Sequence, residues 1–117
     1  MDYSLTKKVV NLTPHTVRVC VGKDIFSIEP SGKVARLGIK TVPHGTVQKM
    51  PIVLSSDGEI TNVPEPEEGT VYIASSVVAK VLKREDVLSP DTTNNGVLQD
   101  GDGNVFAVKR LQCFSGG

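Results

Sequence analysis

The densest group of side chains able to do chemistry is Asn11-Leu12-Thr13-Pro14-His15. An amide, a hydroxyl and one of only two histidines fall within this stretch, around a proline that fixes φ. Such groups suit the reading of a base or a ribose by hydrogen bonding. Arg36, Arg84 and Arg110 could each supply a planar, bidentate clamp for an anion, although a solvated arginine beside a carboxylate is the plainer reading of any one of them. Ser75-Ser76 stand where a strand steps into a helix. Without the glycines of a G-x-S-x-G elbow they fit an N-cap better than a nucleophile. The same step offers N–H groups to a phosphate. The candidate ligand-binding set is Asn11, Thr13, His15, Arg36, Ser75, Ser76, Arg84 and Arg110, with no catalytic residue in it.

Other constellations are weaker. His15 also reads as a turn histidine bonded to backbone, and His44, after Pro43, reads as loop. Neither stands at metal-ligand spacing, so no metal or other cofactor is expected. Asp100, Asp102 and Asn104 imitate the start of a calcium loop. The match fails at Val105, where glycine is required, and at Leu111, where glutamate is required. A hairpin turn is expected there instead. Cys20 and Cys113 match no zinc spacing and read as buried free thiols, with a disulfide left open. Glu65, between Pro64 and Pro66, is either a fixed carboxylate or part of a solvated acidic loop.

The elements that must position these groups are mostly short strands. Lys8-Val9-Val10 and Thr16–Val21 are β-branched runs on either side of the Asn11–His15 stretch, where Pro14 must break or bulge the pairing. Gly22-Lys23-Asp24 predicts a hairpin turn that returns Asp24–Ile28 onto Thr16–Val21. Pro30-Ser31-Gly32 is a further turn before a short strand, 33–37. Residues 38–45 read as irregular, then 46–48, 52–54 and 59–63 as strands, the first two interrupted at Met50-Pro51. Thr70–Ala74 is the best strand. Val77, Val78, Val81 and Leu82 then fall on one helical stripe with Lys80, Lys83 and Arg84 outside it. Residues 97–99 and 105–108 should pair, and alternation fails near Lys109-Arg110, where a bulge or edge is expected. The expected class is α+β: a β-rich, bent antiparallel sheet or partly closed barrel of about seven to nine short strands, with one helix near 76–84.

A length of 117 residues predicts a single domain, 1–117. Thirteen basic residues balance thirteen acidic ones, which demotes duplex-DNA binding while allowing a local basic pocket. No apolar run is long enough to span a bilayer, and residues 1–8 lack the apolar segment of a signal peptide. A cytoplasmic protein without a membrane partner is expected.

Six motifs in order resemble a family of small phage and prophage proteins. They are Asn11–His15; Pro30-Ser31-Gly32 with Ala35-Arg36; Val63-Pro64-Glu65-Pro66; Gly69–Ser75; Arg84 through Ser89-Pro90-Asp91; and Arg110-Leu111. They cover nearly the whole chain. The family often carries a cysteine just before the final Arg-Leu pair. Val108-Lys109 stand there here, which argues against a catalytic thiol. The resemblance implies a counter-defence protein of a bacterial host's cytoplasm, and one such class resembles oligomeric sponges. These sequester nucleotide-derived immune signals such as cyclic dinucleotides or cyclised ADP-ribose. The expected function is therefore non-catalytic capture of a small anionic nucleotide-like ligand by a homo-oligomer. The alternatives are an inhibitor docked on a host defence protein, a small virion component and, last, an enzyme.

Overall fold

A computed structural model describes residues 1–99, 101–103 and 105–114. Among the described residues, ten strands and one α-helix form two four-stranded sheets and a separate two-stranded arm. The first sheet has β1 (Lys8–Asn11) at one edge, then β6 (Thr70–Ile73), β7 (Val87–Pro90) and β10 (Leu111–Cys113). The second runs β3 (Asp24–Ile28), β2 (Val17–Val21), β9 (Val105–Val108), β8 (Val97–Gln99). The β-rich α+β class is as expected, and neither sheet closes into a barrel. The pairing is mixed and not wholly antiparallel: β1 on β6, β6 on β7 and β2 on β9 run parallel.

The strand β6 is the spine of the first sheet. All four of its residues are buried, and its unbroken apolar run Val71-Tyr72-Ile73 is the pattern of a strand covered on both faces. Tyr72 packs on one side with Leu12, Ala35, Val87 and the helix residues Val78 and Ala79. Ile73 packs on the other with Val17, Val19 and Val108 of the second sheet. The result is three layers: helix, sheet, sheet. Truncating a buried isoleucine to alanine costs about 2–5 kcal/mol, so these contacts dominate the packing.

The helix α1 spans Ser76–Leu82, shorter than the expected 76–84, because Lys83 turns left-handed at φ 53° and closes it. Its buried stripe is Val78 and Ala79 with Leu82 half-buried, while Val77 and Val81 are exposed. The valine stripe read from sequence is therefore only partly the core. Cys20 is half-buried and Cys113 exposed, so neither is the buried thiol expected. At Lys109-Arg110, both exposed, the chain leaves β9 in one sheet and enters β10, the edge strand of the other, so the expected edge exposure is found there. Of the calcium-like run, Asp100 and Asn104 lie outside the described residues.

The largest departure is at 36–61. The two stretches read as broken strands are β4 (Arg36–Val47) and β5 (Met50–Thr61), a long antiparallel hairpin. Its prolines are tolerated because a two-stranded ribbon consists only of edges. The turn Gln48-Lys49 has both residues at positive φ, 47° and 69°, the hairpin geometry usually supplied by Asn-Gly. At the root the register shifts between Leu37 and Ile39. There a Cβ on Gly58 would lie 2.9 Å from the Gly38 carbonyl oxygen, so glycine is required by the close approach of the two backbones. Among the described residues no helix is long and apolar enough to cross a membrane.

Candidate functional site

Three of the sequence motifs meet at the end of β6. Leu12 N–H donates to the Ile73 carbonyl at 2.7 Å, Ala35 N–H to the Leu12 carbonyl at 2.9 Å, and Ser31 N–H to the Asn11 carbonyl at 2.9 Å. These bonds stitch the Asn11–His15 loop, the 30–36 segment and the strand-to-helix step into one surface.

Asn11 organises that surface from inside. It is buried, and its Nδ2 donates to the His15 carbonyl at 2.8 Å and to the Ile28 carbonyl at 2.9 Å. Its Oδ1 accepts from Thr13 N–H at 2.9 Å and from Thr13 Oγ1 at 2.7 Å. An amide has two protons to give and two lone pairs to offer, and all four are used. Asn11 is thus a structural hub and not a ligand reader, contrary to the sequence expectation. The His15 imidazole is exposed, and it is the His15 backbone carbonyl that holds the loop.

Above this hub lies a cleft of about 350 Å³, lined by Leu12, Thr13, Pro14, residues 34–37, Ser75, Val77 and Val78. Of the eight candidates it brings together Thr13, Arg36 and Ser75. The Ser75 hydroxyl accepts from Val78 N–H at 3.3 Å as the N-cap, and the Ser75 carbonyl accepts from Ala79 N–H. Ser76 opens the helix but does not line the cleft. A helix of seven residues with these donors already engaged is too short to hold an anion by itself, so the phosphate seat expected there is withdrawn.

Arg36 differs from the other two candidate arginines, Arg84 and Arg110. It opens β4 at the rim of the cleft, is exposed, and forms no ion pair with any described residue. Arg84 is fully employed elsewhere. Its Nε and Nη2 reach Asp86 Oδ1 and Oδ2 at 2.9 and 2.6 Å, and its Nη1 donates to the Pro64 carbonyl at 3.1 Å. Hydrogen bonding to Asp86 raises its already high pKa. It clamps the Pro64–Gly69 loop, whose Glu65 carbonyl also accepts from the Tyr72 hydroxyl at 3.4 Å while the Glu65 side chain is exposed. Arg110 donates from Nε to buried Asp91 at 2.6 Å. Thr93 supplies Asp91 with a hydroxyl at 2.6 Å and an N–H at 3.0 Å. With the Thr93 hydroxyl first and Arg110 next, these bonds hold the Asp91 carboxyl down at about 2. Arg84 and Arg110 are therefore loop clamps, and the sequence reading of both as ligand residues is not supported by their geometry.

A second, larger hollow of about 920 Å³ opens beside the N-terminus, lined by Asp2, Glu67, Glu68 and Asp86 with Lys7. Its acidic rim does not suit an anion. No group of three or more His, Cys, Asp or Glu among the described residues could hold a metal ion. What the Arg36 cleft can do chemically is bind: an apolar floor of Leu12, Ala35 and Val78, a hydroxyl, and one unneutralised guanidinium at the rim. A scan against protein-family models and searches of curated proteins and of solved structures return no match to this chain.

Proposed function

We propose that this chain is a non-catalytic binding protein that captures a small anionic, nucleotide-like ligand in the cleft between the Asn11–His15 loop and α1. The motif order suggests a phage-encoded counter-defence factor acting in the bacterial cytoplasm. The ligand class would then be a nucleotide-derived immune signal. The observation that carries the reading is the Arg36 guanidinium, with no ion-pair partner among the described residues, at the rim of a cleft with an apolar floor. A charged donor without a carboxylate partner is free to take a phosphate bidentately, and the apolar floor suits the face of a base. The cleft is at the small end of ligand pockets, matched to one nucleotide unit and not to a whole dinucleotide. The Ser75 hydroxyl only accepts as the N-cap and keeps its proton to donate, whereas the Thr13 hydroxyl proton is committed to Asn11 and the His15 carbonyl. Capture requires complementarity and enclosure but no nucleophile or base.

A thermal-shift screen with cyclic di- and trinucleotides, ADP-ribose cyclisation products and ordinary nucleotides tests it. A ligand at about a hundred times its dissociation constant stabilises by about 2.7 kcal/mol. At about 2.1 cal/mol/K per residue, a shift near ten degrees is expected. The captured molecule should be returned unchanged by chromatography. A flat screen defeats the proposal, and a chemically altered product makes the protein an enzyme.

A further inference from the structure

Arg36 stands where the arm leaves the body. On the arm side it opens β4 and pairs with Thr61. On the body side Ala35 is buried, and its N–H donates to the Leu12 carbonyl at 2.9 Å. One step further along the ribbon would set Ala35 opposite Asn62, but the ladder ends at Arg36 and Thr61. Asn62 continues the connection with its side chain, whose Nδ2 donates to the Val34 carbonyl at 3.0 Å. Its backbone is left-handed, φ 65°, a conformation that asparagine adopts more readily than most residues with a Cβ. That turn leads from exposed Thr61 to Val63, which packs on the core together with Leu37 and Ile60.

The segment carrying Arg36 is thus held by three ties: Val34 to Asn62, Ala35 to Leu12, and Arg36 to Thr61. Two of them are backbone to backbone, and only the first is made by a side chain. Arg36 has no ion-pair partner among the described residues to orient its guanidinium, so its placement falls to the backbone beneath it. A bidentate guanidinium–phosphate pair is sensitive to misplacement of about 0.5 Å.

We infer that Asn62 is a positioning residue for capture: its amide fixes the strand segment that presents the Arg36 guanidinium to a phosphate. Asn62 does not itself line the cleft. The inference rests on the proposed capture of a nucleotide-like anion at Arg36, and it adds a residue that the motifs did not single out.

The test is a double-mutant cycle read by NMR titration of the full chain. The four ribonucleoside 5′-monophosphates are titrated into the parent, and the tightest becomes the probe. Asn62→Gly removes the amide and keeps the left-handed turn, which glycine adopts freely. Melting curves check that each variant remains folded. Asn62→Gly should weaken binding about two- to twelvefold, the worth of one neutral hydrogen bond. In an Arg36→Ala background the same substitution should change affinity less than about twofold, because the group it positions is gone. Where binding to Arg36→Ala is too weak to measure, Arg36→Lys is the background, since a point charge does not depend on the orientation of a fork. Equal affinity of the parent and Asn62→Gly overturns the inference. So does equal weakening in both backgrounds, the mark of an amide that supports the cleft as a whole. A parent that binds none of the four probes, or an Arg36→Ala that binds as tightly as the parent, removes the capture proposal and this inference with it. A weakened Arg36→Ala beside an unaffected Asn62→Gly removes this inference alone.

Discussion

Removing the Asn11 amide is the sharpest perturbation the fold allows. Asn11→Ala deletes four hydrogen bonds at once, to Thr13 N–H, Thr13 Oγ1, the His15 carbonyl and the Ile28 carbonyl. Each is worth about 0.5–1.5 kcal/mol net, and a buried group left without a partner costs about 1–3 kcal/mol. Thr13 Oγ1 and the His15 carbonyl already share an exposed bond, and water can replace what they lose. Thr13 N–H and the Ile28 carbonyl are less accessible and carry most of the penalty. The expected loss is about 2–4 kcal/mol. With an unfolding entropy of about 2.1 cal/mol/K per residue, a chain of this length should melt about 8–16 °C lower. Calorimetry of the parent and variant reads this directly. Asn11→Asp sharpens it: the acceptor for Thr13 survives, but a charge faces two carbonyl oxygens where donors stood, so the loss should be at least as large. A shift below about 4 °C for Asn11→Ala would refute the hub, and with it the argument that Asn11 is too committed to touch a ligand.

Further outcomes follow from the clamps and the core. The Asp91 carboxyl titrates below its unfolded value in the native state, so the unfolded chain binds more protons between about pH 4 and 2. The stability it contributes is present above that window and is lost as pH falls through it. Asp91→Asn should flatten this acid limb in melting curves, and an unchanged limb would deny the carboxyl its role. Arg84→Lys cannot bridge Asp86 and the Pro64 carbonyl together and should cost about 1–3 kcal/mol in thermal unfolding while leaving ligand retention intact. Lost retention in a folded variant would return Arg84 to the site. The Ser89 hydroxyl is fully buried with no partner among the described residues. Ser89→Ala should therefore hold or raise stability by up to about 1–2 kcal/mol, and a clear fall in Tm would show that the hydroxyl is satisfied.

Much of the fold was legible because its signals are local. The Val21–Asp24 hairpin follows from Gly22 at φ 61°, and the β6–α1 step follows from an apolar run ending in Ser75. The parallel pairings were not legible, because β1 and β6 lie some sixty residues apart and nothing local records which distant edge a strand will choose. The arm was missed for a different reason. Pro43 and Pro51 look like breaks, and they are breaks only where a strand has neighbours on both sides. In the candidate site, Asn11-x-Thr13 drew notice as polar residues in a group. The same spacing recurs at Asp2-x-Ser4 and Asp91-x-Thr93. In all three, one side-chain oxygen accepts from the backbone and the hydroxyl two residues on. That repetition is a turn signal visible in the sequence, and it would have separated scaffold from site. Arg36 could not be singled out that way. Its distinction from Arg84 and Arg110 is the lack of a carboxylate partner, which only the assembled surface reveals.

The most direct test of ligand capture is a calorimetric titration of the strongest thermal-shift ligand into the parent chain and into Arg36→Ala. The account predicts saturable binding to the parent and recovery of the ligand unchanged. Binding to the folded variant should be about 10- to 150-fold weaker, the worth of a charged hydrogen bond of about 1.5–3 kcal/mol. Equal affinity in the two proteins would contradict it and place the ligand away from the Arg36 cleft.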